Sequence, residues 1–217
     1  MLNRLFPVCI VAAVSLAGAS AFGRMLPDPS VDMDHAALPH KDVAVFAGGC
    51  FWGVEAVFEQ LTGVDRVLAG FAGGEASTAH YETVSGGRTG HAESVEITYD
   101  PAKISYGQLL KVFFAVAHDP TEKNRQGPDT GTQYRSAIFY RDAEQQRIAE
   151  AYIKQLEDAK AFSRPIVTEV TPLKRFYAAE GYHQQFVKHN PTYPYVVYND
   201  LPKLAMLKKE FGPMLKK

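Results

Sequence analysis

The stretch VAVFAGGCFWGVEAVFEQLTG, residues 43–63, changes hydrophobic period halfway and so sets the fold. Val43 to Ala47 is a short apolar run closed by Gly48 and Gly49, which reads as a strand. From Trp52 to Leu61 the apolar residues Val54, Val57, Phe58 and Leu61 fall at helical spacing, and Gly63 ends the helix. Cys50 sits where strand gives way to helix. Unpaired N–H groups at a helix start carry partial positive charge, so a thiolate is favoured there and the thiol pKa is expected to fall. The plainer alternative is a small buried hydrophobe with Trp52 packed behind it, since free cysteine is among the most buried residue types. Residue type and position leave both open.

Outward from this unit, elements keep alternating. Val64 to Phe71 reads as a strand closed by Gly73 and Gly74, and Ala92 to Tyr99 as another, stopped by Asp100-Pro101. Ser105 and Gln108 form a capping-box pattern before the apolar run Leu109 to Ala117. Tyr134 to Tyr140 is a strand, and Asp142 with Gln145 again marks a helix start. That helix lines up Ile148, Tyr152 and Leu156 on one face. Ile166 to Val170 is the next strand, Tyr177 to His189 a helix interrupted by Gly181, and Leu201 to Phe211 a last helix. The leading βαββαβ order predicts an α+β fold, a two-layer sandwich with a split-βαβ (ferredoxin-like) core. One domain over residues 42–217 is expected, with no internal repeat.

The start of the chain reads differently. Arg4 precedes an apolar run, and Ala19-Ser20-Ala21 offers a small-residue cleavage site, so residues 1–21 are expected to be a secretory signal peptide. The rival is an uncleaved anchor, because Leu5 to Phe22 is near the minimum length for a span. Export to the periplasm or beyond follows from the first reading. Residues 22–41 carry Pro27, Pro29 and Pro39 without apolar periodicity and read as a linker or flexible arm. The two cysteines are Cys9, inside the apolar leader, and Cys50. Cleavage would leave one thiol and no internal disulfide.

A formal net charge of −1 with no long basic run excludes a nucleic-acid footprint. Polar candidates lie in two loops. Tyr81, His91 and Glu93 lead into one strand; His118, Asp119, Asp129 and Tyr134 belong to or follow a long Gly- and Pro-bearing loop before another. Each has a structural reading as turn former or edge aromatic. The histidines are too scattered for a metal site, and Glu180 with His183 is half of a paired metal motif.

Four segments, GGCFWGVE, SGGRTGHAESVEITYDP, HDPTEKNRQGPDTGTQYRSAIFY and GYHQQFVKHNP, occur in this order. Together they resemble the peptide methionine sulfoxide reductase A family. The resemblance implies an α+β fold and reduction of the S epimer of methionine sulfoxide, in proteins and free, without metal or organic cofactor. It implies Cys50 as nucleophile, Glu93 as acid, Tyr81 and Tyr134 holding the sulfoxide oxygen, Asp129 orienting its neighbours, and Phe51 and Trp52 forming the methyl pocket. A sulfenic acid on Cys50 is the implied intermediate. Many family members carry resolving cysteines in the C-terminal tail. Here VVYNDLPKLAMLKKEFGPMLKK has none, and Ser85 stands where some relatives have another. The implied type therefore needs an external thiol, whether thioredoxin-like, glutaredoxin or small; a monomer is expected. Rival functions are a thiol peroxidase, a cysteine hydrolase using His91, His118 or His183 as base, and a non-catalytic binder of oxidised methionine.

Overall fold

The structure, a computed structural model, describes residues 25–33 and 41–217. The leader reading of residues 1–21 lies outside the described residues. Strand β1 (Asp42–Gly48) runs into helix α1 (Phe51–Glu59), then β2 (Val64–Ala72), the short α2 (Tyr81–Val84) and β3 (Ala92–Tyr99). Helix α3 (Tyr106–Val112) continues into a π-helical turn, Phe113–Ala117. The long loop that follows holds a two-stranded hairpin of β4 (Arg125–Gln126) and β5 (Asp129–Thr130). Then come β6 (Ser136–Tyr140), α4 (Ala143–Asp158), β7 (Glu169–Pro172), β8 (Phe176–Ala178), α5 (Phe186–His189) and α6 (Leu201–Phe211).

The sheet order is β7-β6-β1-β3-β2-β8. Its inner four strands, β6-β1-β3-β2, are antiparallel neighbours. In that order β3 lies between β1 and β2, the strands joined through α1, which is the split-βαβ arrangement expected from the sequence. Strand β7 adds parallel to β6, and β8 antiparallel to β2. Alternation along the strands divides the side chains between two faces. Phe46, Val95, Ile97 and Ile138 join α1, α3 and α4 in the main core; Val45, Ala47, Ala72 and Phe139 form a smaller cluster. Helix α3 starts at the expected capping box, with Gln108 N–H donating to Ser105 Oγ and Ser105 N–H donating to the Gln108 side chain. Among the described residues no helix is long and apolar enough to cross a membrane.

Two expectations change. Tyr177 to His189 is not one helix. Phe176–Ala178 pairs with Gly70–Ala72, Gly181–His183 is a 3₁₀ turn, and only Phe186–His189 is α-helical. The competing bonds are specific: Gln184 uses its side-chain amide on the backbone of Ala69 and Ala179, and Gln185 adopts a left-handed φ of 53°. Sheet pairing and these side-chain bonds replace the helical ladder. Residues 25–33, expected as part of a flexible arm, form no helix or strand but are tied down. Leu26 and Met33 are buried in the main core, and Tyr152 donates to the Pro27 carbonyl. Asp32 accepts from Gly107 N–H and Ser105 Oγ.

Leu26→Ala should therefore lower unfolding free energy by about 3 kcal/mol, the usual cost of truncating a buried leucine. Urea denaturation reads this directly, and a change below about 0.5 kcal/mol would mean that the segment contributes nothing to the fold.

Candidate active site

Cys50 occupies the N-cap of α1 without capping the helix through its own side chain. It follows Gly49, whose φ of 88° is a left-handed value and whose missing Cβ leaves room for the Gln126 side chain. The strand thus turns sharply into the helix while the 119–128 loop comes down beside the sulfur. Behind Cys50, Phe51 is buried, its ring 5.8 Å from Phe71, 6.5 Å from Tyr81 and 5.0 Å from His183. Trp52 is half-buried. Its Nε1–H donates to His183 Nδ1 at 3.0 Å, and its ring lies flat on Phe186 with centroids 3.7 Å apart.

Glu93 reaches this centre from β3, opposite Phe71 of β2 in register. Its Oε2 accepts the Phe51 N–H at 3.0 Å. Tyr81 opens α2, fixed by a backbone N–H to Glu180 and by Ser85 Oγ donating to its carbonyl. Tyr134 closes a 3₁₀ turn just before β6. Asp129 lies on β5, where the Tyr195 hydroxyl donates to its Oδ2.

A model of the family described as peptide methionine sulfoxide reductase matches residues 42–214. The chain belongs to that family. It is 59% identical over 179 residues to the peptide methionine sulfoxide reductase MsrA 2 of Mesorhizobium japonicum, covering 82% of this chain and 92% of that protein. It is 54% identical over 199 residues to the protein of the same name from Synechocystis sp., covering 91% and 93%. Among solved structures, the fold matches reduced Mxr1 from Saccharomyces cerevisiae with a TM-score of 0.65 at 32% identity, covering 76% of this chain and 92% of that one. It also matches methionine sulfoxide reductase A of Corynebacterium diphtheriae with a TM-score of 0.60 at 36% identity, covering 83% and 92%.

Electrostatics in this member of the family differ in one respect from expectation. The Cys50 thiol is pushed up, not down, first by burial and then by the nearby Glu93, Asp200 and Asp129 carboxylates. The Trp52 backbone N–H pulls the other way, as a helix start should, and is outweighed. Burial likewise raises Glu93 to about 8, opposed by its bond from Phe51. At neutral pH the resting site therefore holds a carboxylic acid and a thiol. Burial and the Glu93 charge also raise Tyr81 and Tyr134, so both phenols stay protonated donors.

The candidate base histidines point elsewhere. His91 bonds Gly74 N–H and the Glu75 carbonyl. His118 bonds the Phe113 carbonyl and Ser136 Oγ, and burial lowers it to about 3. His183 accepts from Trp52. None of these bonds activates Cys50 as a hydrolase dyad would.

Sequence reasoning missed Tyr195, Phe186 and Asp200. Tyr195 fastens Asp129 and stands edge-on to Trp52, with centroids 5.8 Å apart. Asp200 is fully buried and approaches α1 where Gly53 has no Cβ to obstruct its carboxylate. All three lie well over a hundred residues from Cys50. Only the GYHQQF motif gave a signal, and it named the segment without saying what Phe186 touches.

Proposed function

We propose that the protein reduces methionine-S-sulfoxide, in proteins and free, to methionine, with Cys50 as nucleophile and Glu93 as proton donor. The observation that carries the residue roles is the pairing of Cys50 with a buried carboxyl held on the Phe51 N–H and protonated up to about pH 8. A sulfoxide sulfur is electron-poor and its oxygen electron-rich. Cys50 sulfur attacks the substrate sulfur, Glu93 gives a proton to the oxygen, and the Tyr81 and Tyr134 hydroxyls donate to it as the S–O bond weakens. The oxygen, carrying the Glu93 proton, then passes to the Cys50 sulfur as the S–O bond and the S–S bond to the substrate break; methionine leaves, Cys50 becomes a sulfenic acid, and the proton lost by the Cys50 thiol returns Glu93 to its acid form. Phe51 and Trp52 supply the apolar wall for the methyl group, and Asp129 orients Tyr195 beside Trp52.

Cys50 is the free cysteine among the described residues. The tail from Val196 onward has none. With the leader and its Cys9 removed, the proposed enzyme is of the single-cysteine type and an external thiol resolves the sulfenate; a monomer is proposed as its working form. Residues 1–21 support export, with a mature chain beginning at Phe22; N-terminal sequencing of the secreted protein checks the cut.

Separate assays of the two methionine sulfoxide epimers with dithiothreitol test the activity. The S epimer should be consumed and the R epimer left, whereas equal turnover of both would exclude the proposed site geometry.

A further inference from the structure

Next to Cys50 lies a cavity of about 380 Å³ whose lining includes neither Phe51 nor Glu93 and which the sulfoxide chemistry leaves unassigned. Its walls are the 119–128 loop and the 195–206 segment, and it is lined by Cys50, Gln126, Tyr195, Tyr198, Lys203 and Met206 among others. Neither Glu93, Tyr81, Tyr134 nor Trp52 lines it. The volume is within the range of small-molecule sites. Cys50 is only 8% exposed and lines this cavity, so a small thiol that enters it lies beside the sulfur.

Charge inside the cavity is specific. Two acidic wall residues already have arginine partners, Asp119 with Arg164 at 3.2 Å and Glu122 with Arg125 at 3.6 Å. Lys203 faces Asp200 at 3.8 Å, longer than a charge-assisted hydrogen bond. Asp200 is fully buried, and neither carboxylate oxygen has a hydrogen-bond partner. A buried charge thus holds the ammonium in the wall, 3.0 Å from where a Cβ on Gly53 of α1 would lie, without a short hydrogen bond between the two.

We propose that this cavity is the reductant site, that it takes a low-molecular-mass thiol, and that Lys203 holds the incoming sulfur as its thiolate beside Cys50. The proposal rests on the sulfenic-acid reading of Cys50. The thiolate attacks the Cys50 sulfur, the S–S bond forms and the S–O bond breaks, and the departing oxygen takes the thiol's proton to leave as water. A second thiol attacks the mixed disulfide, releasing the small disulfide and regenerating the Cys50 thiol. A cation beside the incoming sulfur raises its thiolate fraction at neutral pH, which accelerates the first attack.

Two measurements separate this from the reading beneath it. Methionine released by reduced enzyme without added thiol reports the first half-reaction; the apparent second-order rate constant for 2-mercaptoethanol in steady state reports the second. Met206→Trp should fill the cavity, keep the one-equivalent burst and lower the 2-mercaptoethanol constant by about tenfold or more. Lys203→Met should keep the burst and lower that constant by about three- to tenfold near pH 7, the gap narrowing as pH approaches the thiol's own pKa; Lys203→Arg should restore it. An unchanged thiol constant in both variants, or a burst lost in both while each stays folded, would overturn the proposal. Absence of a burst in wild type would instead remove the sulfenic-acid reading itself.

Discussion

Cys50→Ser should abolish turnover of methionine-S-sulfoxide, a fall of more than about 10⁴-fold, while leaving the fold at least as stable. The first half-reaction needs a sulfur that can bond to the sulfoxide sulfur and then carry its oxygen. A hydroxyl can do neither: it ionises far less readily and has no sulfenic acid state. Stability should move the other way. Cys50 is the N-cap of α1 and makes no side-chain capping bond. Serine is a favoured N-cap whose oxygen accepts from the orphan N–H groups of the first turn, a gain of up to about 1 kcal/mol. Thermal unfolding beside the methionine burst therefore separates lost chemistry from lost structure. Retained S-epimer turnover in the serine variant would remove Cys50 as the nucleophile, whatever the family resemblance says.

The core of this arrangement is legible in the sequence because it is written in local signals. The period change across residues 43–63 marks β1 and α1, and the caps at Ser105 and Asp142 mark the starts of α3 and α4. Signals fail where long-range contact decides. Gly181 and helical spacing could not reveal that Gln184 would spend its amide on Ala69, or that Phe176–Ala178 would extend the sheet. Nor could three prolines in residues 22–41 reveal that Leu26 finds the core. The thiol shows the limit most clearly. A helix start predicts a lowered pKa, and the stabilising N–H is present, but burial and three carboxylates are supplied by residues 93, 129 and 200. Local position gives the direction of one contribution; tertiary burial gives the sign of the sum.

Glu93→Gln should lower kcat by roughly 10²–10³-fold with little change in KM, the usual worth of a positioned general acid. Glutamine keeps the shape and an oxygen to accept the Phe51 N–H, so the turn into α1 is preserved while the transferable proton is lost. The pH profile should change with it. Burial holds Glu93 protonated to about 8, so wild-type kcat falls above that pH, and this limb should vanish in the variant. Stability supplies an independent check. The unfolded chain releases this proton near the ordinary value of 4.5 and the folded chain near 8. Between those values the unfolded state carries fewer protons, so wild-type stability falls as pH rises and is lost through about 8. A glutamine has no proton to lose, and the variant should be the more stable protein at pH 7, by up to about 3 kcal/mol less whatever its buried amide costs. A buried carboxyl kept at the expense of stability is what a proton donor for the sulfoxide oxygen requires. A variant that is both fully active and no more stable at pH 7 would show that Glu93 is only a prop for the helix start.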